Sequence, residues 1–176
     1  MNLAPSIGAL NGTLVRMPDG LAGIASTTVA MRRLVRVGKT DPNIIDAAVS
    51  LTYLTPERDD YAAVAALHAF VRDSVRYVRD VAGVETLCDP RVTLTRLVGD
   101  CDDQVMLLCS LCEAIGYPSR FVVAGYGAPG VPEHVYCQIN VAGADGGEEW
   151  IDADPTEPQP LGWFPPGAVY MQVERV

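Results

Sequence analysis

Apolar residues in the first half of the chain recur at intervals of three and four positions, which is the period of an amphipathic helix. This pattern predicts three helices, over about residues 27–37, 42–54 and 59–75. Gly38 ends the first helix, and Pro42 suits the first position of the second, because that position has no helical partner for an amide. We therefore expect this half of the chain to be helical.

A fourth predicted helix, over about residues 101–115, has almost no polar face. Gly116 just after its last turn and Pro118 shortly beyond form a strong stop signal. Because a helix that is apolar all round is stable only in an interior, we expect this one to be buried. The preceding residues 81–98 predict a loop that leads to a short turn at 93–98.

Beyond residue 118 the apolar spacing changes from helical to extended. The glycine-rich stretch 143–147 predicts an antiparallel hairpin between two of the strands. Helices followed by a meander of strands indicate an α+β fold, with the buried helix packed on an antiparallel sheet. Four short runs rich in β-formers predict strands at residues 119–124, 134–141, 149–153 and 168–173.

Length and composition are those of an ordinary globular domain. The 176 residues are 49% hydrophobic and 20% charged, enough apolar material for a real core. No apolar run approaches the ~18 residues that span a bilayer, and the first twenty residues lack the features of a secretion signal. We expect a protein that is neither inserted in a membrane nor exported by that route.

Charge is distributed unevenly along the chain. The formal net charge is −9, yet residues 1–97 carry eleven basic and ten acidic side chains, whereas residues 98–176 carry two and twelve. The acidic second part would repel a phosphate backbone, so we expect no nucleic-acid partner there. A neutral or cationic amide substrate would be tolerated.

The five cysteines do not form an evident disulfide framework, since their number is odd and the chain is long enough to fold without one. A reducing compartment is therefore the simpler expectation. Cys109 and Cys112 form a Cys-x-x-Cys pair, but Cys88 and Cys137 stand alone, so a second ligand pair is missing. We predict core packing for the pair, and neither a metal nor a cofactor.

Cys101 is the candidate nucleophile, because it begins the apolar helix at the end where amide dipoles favour a thiolate. Such a cysteine needs a base and a group that orients the base. Of the two histidines, His134 begins a predicted strand, whereas His68 falls on or beside an apolar helical stripe and is expected to be a core residue. Asp152 and Asp154 both lie near the end of the next strand, and the spacing does not choose between them.

Three segments in this order and spacing resemble the transglutaminase-like superfamily. Residues 99–103, Gly-Asp-Cys-Asp-Asp, stand ahead of an apolar helix that runs into residues 114–120 and resemble its nucleophile segment. Residues 133–136, Glu-His-Val-Tyr, resemble its histidine strand. Residues 150–156, Trp-Ile-Asp-Ala-Asp-Pro-Thr, resemble its aspartate segment. The resemblance covers about residues 60–160.

The resemblance implies a papain-like α+β fold with a catalytic triad of Cys101, His134 and Asp154. It favours Asp154 over Asp152, because Asp154 stands four positions after Trp150 and before a Pro-Thr pair. It implies that the cysteine attacks the carbonyl of a protein or peptide amide and forms a thioacyl intermediate. Water would resolve this intermediate in a peptidase or deamidase, and an amine would resolve it in a cross-linking enzyme; we expect hydrolysis.

The acids beside the nucleophile are not explained by the resemblance. Asp100, Asp102 and Asp103 surround Cys101, and nearby carboxylates oppose a thiolate. One of them is a candidate helix cap and another a candidate substrate contact.

Residues 1–58 precede the motif-bearing part, and we divide the chain into this segment of arm and helices and a catalytic core over residues 59–176. The stretch from Gly23 to Pro42 resembles the lead-in of compact transglutaminase-like proteins of tailed bacteriophages and prophages. This implies a docking arm for a phage structural protein, a role in virion assembly or cell-wall entry, and peptidoglycan peptides as a substrate. The location would be the host cytoplasm or the virion. The rival interpretation is a structural component of the particle whose site is unused.

Overall fold

The computed structural model describes residues 20–80, 86–142 and 147–176. Residues 1–19, which belong to the predicted N-terminal arm, lie outside this range. Most of the predicted turn at 143–147 also lies outside it. The described residues form five helices, α1 (Gly20–Gly38), α2 (Pro42–Thr52), α3 (Asp60–Ser74), α4 (Pro90–Arg96) and α5 (Cys101–Ala114). They also form six strands, β1 (Arg76–Tyr77), β2 (Val98–Gly99), β3 (Ser119–Gly125), β4 (His134–Ala142), β5 (Glu148–Ala153) and β6 (Tyr170–Arg175).

Each helix from α2 to α5 begins after an aspartate that caps it. The carboxylates of these caps accept hydrogen bonds from backbone amides of the first turn, which would otherwise lack a partner. The caps are Asp41, Asp59, Asp89 and Asp100. A cap role for one of the acids beside Cys101 is therefore confirmed, and it belongs to Asp100.

Helix α4 was not predicted, since residues 81–98 were expected to be a loop with one short turn. The helix occupies Pro90–Arg96 after the Asp89 cap, the same cap-and-proline signature that was recognised at the start of α2. It ends at Leu97, which has a left-handed backbone with φ 52°. Seven residues are too few to show a helical apolar period.

Strands β3 to β6 form an antiparallel sheet in the order β5-β4-β3-β6. The hairpin of β4 and β5 is confirmed, with Cys137 opposite Ala153. The meander is wrong in its last step, because β6 pairs with β3 and not with β5. Gly162 donates a hydrogen bond to the Asp152 carbonyl at the outer edge of β5 (2.8 Å), and the chain then crosses to β3, where Val169 donates to the Gly125 carbonyl (2.9 Å).

Helix α5 is the centre of the core. Its residues 102–112 are all buried, and it contacts the other four helices as well as β2, β3 and β4. The core extends into α1 and α2, where Met31, Val35 and Ile44 are buried. Within the described ranges, no helix combines the length and the hydropathy that crossing a bilayer requires.

We expect Leu108→Ala, at a fully buried position of α5, to lower the free energy of unfolding by about 2–5 kcal/mol, because it leaves a cavity that the rigid neighbours cannot fill. Leu54→Ala is the matched control, since Leu54 is 89% exposed, and it should change stability by less than about 0.5 kcal/mol. Urea unfolding of both variants measures the difference. Equal losses would contradict the placement of α5 in the interior.

Candidate active site

Cys101 is the first residue of α5, and its thiol lies where that helix meets the start of β4. Its Sγ is 3.9 Å from Oδ1 of Asp102 and donates a hydrogen bond to that carboxylate. The backbone amides of Val135 and Asp102 hydrogen-bond to the sulfur and lower the pKa of the thiol. Because Val135 follows His134 directly on β4, the contact brings the sulfur to the histidine end of that strand.

The pKa of Cys101 is nevertheless raised above its ordinary value. Burial raises it most, and the charges of Asp102 and then Asp100 raise it further. The expectation that the helix start would favour the thiolate is therefore wrong, because desolvation and two neighbouring carboxylates outweigh the amide dipoles. A raised pKa favours the protonated thiol, so Cys101 as the candidate nucleophile requires a base.

His134 and Asp154 are joined by a short hydrogen bond. Nε2 of His134 lies 2.7 Å from Oδ2 of Asp154, with the histidine side chain 18% exposed and the aspartate side chain fully buried. An ionised carboxylate can only accept, so the ring proton of a neutral imidazole sits on Nε2. Nδ1 is then the ring nitrogen that can take up a proton.

The carboxylate of Asp154 is buried but kept ionised by its donors. Burial alone would raise the pKa of this group, yet hydrogen bonds from His134 and Thr156 outweigh it and lower the pKa. Thr156 donates twice to Oδ1, from its hydroxyl at 2.7 Å and from its backbone amide at 3.0 Å. Thr156 thus leaves Oδ2 for the histidine.

The structure shows which of the two candidate aspartates, Asp152 or Asp154, contacts the histidine. Asp152 accepts a hydrogen bond at 2.7 Å from the side-chain amide of Gln138, its cross-strand neighbour on β4. Asp154 follows the last residue of β5 and reaches His134 instead. Two residues at the end of one strand therefore have different partners.

Asp103, the remaining acid beside Cys101, links α5 to the preceding loop by a hydrogen bond. Its Oδ1 accepts a hydrogen bond from the Cys88 amide at 2.7 Å. Gly99 packs against it so closely that a Cβ at position 99 would lie 2.6 Å from the Asp103 Cβ. The glycine two residues before Cys101 is therefore required by the packing of this turn.

Three further residues near the site were not predicted as part of it. The ring of Tyr136 is stacked with His134, with centroids 6.3 Å apart. The pKa of Tyr77 is raised, chiefly by burial, and its backbone pairs with Gly99. His68 is buried, as expected, and its Nε2 contacts the backbone carbonyl of Asp154 at 2.9 Å. Of these three, Tyr136 lies inside a segment that carries the family resemblance, as does Thr156, and the resemblance gave neither residue a role.

The other cysteines are Cys88, which is half-buried, and Cys109, Cys112 and Cys137, which lie in the core. Sγ of Cys137 donates to the Ala153 carbonyl at 3.2 Å. Among the residues that the structure describes, no group of three or more histidines, cysteines and acids is arranged to hold a metal ion.

A buried helix that presents a cysteine to an antiparallel sheet, with a histidine and an aspartate at the ends of neighbouring strands, defines a papain-like α+β protein. The model of the transglutaminase-like superfamily matches residues 48–155, which is more than half of the chain. The chain belongs to that superfamily. No curated protein sequence matches it.

Solved structures with the same fold are distant in sequence. A candidate cysteine protease from Cytophaga hutchinsonii is 20% identical with a TM-score of 0.50, over 65% of this chain and 37% of that one. A candidate protease from Parabacteroides distasonis is 14% identical with a TM-score of 0.53, over 76% and 27%. A structure of the Rad4/XPC nucleotide excision repair complex is 11% identical with a TM-score of 0.51, over 78% and 40%. The chain thus spans less than half the length of each, and the similarity shows the fold alone.

We expect Asp102→Asn to lower the pKa of Cys101, because it removes the negative charge nearest the sulfur. Alkylation of Cys101 by iodoacetamide at neutral pH should then become faster, and its pH–rate profile should move to lower pH. Peptide mapping of the adducts assigns the rate to Cys101. Asp46→Asn, at an exposed position of α2, is the control and should leave the profile in place. An unchanged pH–rate profile in Asp102→Asn would show that the Asp102 carboxylate does not raise the pKa of Cys101.

Proposed function

We propose that the protein is a cysteine-dependent amide hydrolase that uses Cys101, His134 and Asp154 through a thioacyl intermediate. Membership of the transglutaminase-like superfamily supports a cysteine-dependent hydrolase or acyltransferase. The observation that carries the finer proposal is the 2.7 Å hydrogen bond between His134 Nε2 and Asp154, which directs Nδ1 to act as the base. The sulfur reaches the same end of β4 through the Val135 amide.

The proposed mechanism starts from the thiol, because burial and two neighbouring carboxylates raise the pKa of Cys101. Nδ1 of His134 removes the proton as the sulfur attacks the amide carbonyl. The C–N bond then breaks, the imidazolium gives its proton to the departing amine, and the acyl group stays on sulfur. Water, activated by the same imidazole, releases the acid and restores the thiol.

Asp154 supports both proton transfers from its buried position. It holds the imidazole in the Nε2–H tautomer and stabilises the positive charge that forms on the ring. The backbone amide of Cys101, at the start of α5, is the proposed donor to the oxyanion, because the first amides of a helix have no helical acceptor.

Hydrolysis is favoured over acyl transfer because two structural relatives carry names of proteases. The acidic second part of the chain suits a neutral or cationic peptide. Peptidoglycan peptides and a phage structural protein as a docking partner stay predictions from the family resemblance of the N-terminal segment.

We expect the protein to release new amino termini or ammonia from peptide amides, and Cys101→Ala to abolish the release because it removes the thiol that forms the thioacyl bond in the proposed mechanism. Purified peptidoglycan and casein are the substrates, with amine and ammonia release as the readout. Cys88→Ala is the matched control, since it removes the other half-buried free thiol and should leave the rate unchanged.

A parallel reaction with excess glycine ethyl ester separates hydrolysis from acyl transfer. Incorporation of glycine ethyl ester into the substrate, in place of hydrolysis, would show that the protein is a cross-linking enzyme and not a hydrolase. Equal release by wild type and Cys101→Ala would reject the cysteine mechanism for these substrates, and no release by the wild type would favour a structural role for the fold.

A further inference from the structure

Three polar side chains lie in one line along α3. Tyr61, His68 and Arg72 are separated by seven and four positions, which places them within about 40° of one another around a helix of 3.6 residues per turn. Their hydroxyl, imidazole and guanidinium groups all contact one segment of the chain that lies more than eighty residues away. We call this segment, residues 154–161, the aspartate loop.

Each of the three side chains hydrogen-bonds to a backbone carbonyl of the aspartate loop. Tyr61 donates from its hydroxyl to the Leu161 carbonyl at 3.1 Å, and Arg72 donates from Nη1 to the Gln159 carbonyl at 2.9 Å. Nε2 of His68 lies 2.9 Å from the Asp154 carbonyl. Because a carbonyl can only accept, this fixes the proton of His68 on Nε2.

The composition of the aspartate loop explains why it depends on donors from elsewhere. Pro155, Pro158 and Pro160 have no backbone amide, so the loop has more acceptors than donors. Its base is closed by the bond from the Gly162 amide to the Asp152 carbonyl, but its interior has few amides to bond to itself. Helix α3 supplies the missing donors.

His68 makes the contact that matters most for the site, because it holds the residue whose carboxylate faces His134. It is 1% exposed, and burial lowers the pKa of its imidazole, so it stays a neutral donor. An imidazole buried to that degree would be costly without a partner. The pairing of β5 with β4 ends at Ala153, one residue before Asp154. The main chain of Asp154 is therefore held by α3 and not by the sheet.

We propose that Tyr61, His68 and Arg72 are positioning residues that clamp the aspartate loop and keep the Asp154 carboxylate within reach of His134. The inference rests on the proposed function for its catalytic meaning. Helix α3 contributes no member of the triad. In this proposal it restrains the position of Asp154, because α3 is packed in the core and is hydrogen-bonded to the loop. A loose clamp would leave the imidazole free to change tautomer and lose its orientation towards the thiol.

The test compares His68→Leu, which removes the donor, with His68→Gln, whose side-chain amide can donate to the same carbonyl. Ring ¹⁵N shifts report the tautomer of His134, and the exchange of its Nε2–H with solvent reports the bond to Asp154. In His68→Leu we expect the Nδ1–H tautomer to appear and the exchange to become about tenfold faster, the factor of one lost hydrogen bond. His68→Gln should restore both signals towards those of wild type.

Leu108→Ala controls for stability, because it weakens the same core and removes none of the three hydrogen bonds to the loop. It should leave the ring signals of His134 unchanged at a temperature where it is fully folded. If His68→Leu does not fold, Tyr61→Phe takes its place, since it deletes one hydroxyl and should move the signals in the same direction by less. Unchanged signals in the folded variant, or equal changes in Leu108→Ala, would overturn the clamp.

Activity provides the second readout and keeps the two proposals apart. We expect His68→Leu to lower kcat with little change in KM, since the clamp acts on the catalytic geometry and not on substrate binding. If wild-type protein shows no amide release while the ring signals still respond to His68→Leu, the proposed function fails and the clamp stands. If activity is present and the ring signals do not respond, the clamp alone is rejected.

Discussion

The burial of α5 on every side is the constraint on which the rest of the structure depends. A helix whose residues 102–112 are all buried cannot lie on a surface, so the other helices and the sheet must enclose it. Its first residue is then the point where the enclosed helix reaches the start of β4. Cys101 is placed beside the Val135 amide by the packing of a hydrophobic helix, and not by contacts of its own side chain alone.

Much of this architecture follows from local signals in the sequence. The apolar periods, together with Pro42 at the start of α2 and the stop signal after α5, were sufficient to predict α2, α3 and α5. The four longer strands were predicted to within a few residues of their ends. Helix α4 and strands β1 and β2 were missed because seven or two residues carry no period. The position of β6 was missed because it depends on the path of residues 154–169, which pairing preferences within single strands do not encode.

The candidate site was likewise predictable only in part. The hairpin of β4 and β5 was predictable, and it brings His134 and Asp154 to the same end of the sheet. The raised pKa of Cys101 was not, because it depends on how deeply the sulfur is buried and on where Asp102 points. His68 was correctly expected to be buried, but its partner is a backbone carbonyl, and no pattern of residue types reveals which carbonyl that is.

In the proposed mechanism, the thiol of Cys101 is activated by a histidine that is held in one tautomer. We therefore expect acylation of Cys101 to require His134 oriented by Asp154, and intact-protein mass spectrometry of the acyl-enzyme formed from an activated ester measures this requirement directly. One acyl group per chain should form on Cys101, far more slowly in Asp154→Asn and at the wild-type rate in Asp152→Asn, which changes the aspartate two residues earlier at the end of β5. Equal slowing in both variants, or acyl groups spread over the other cysteines, would contradict it.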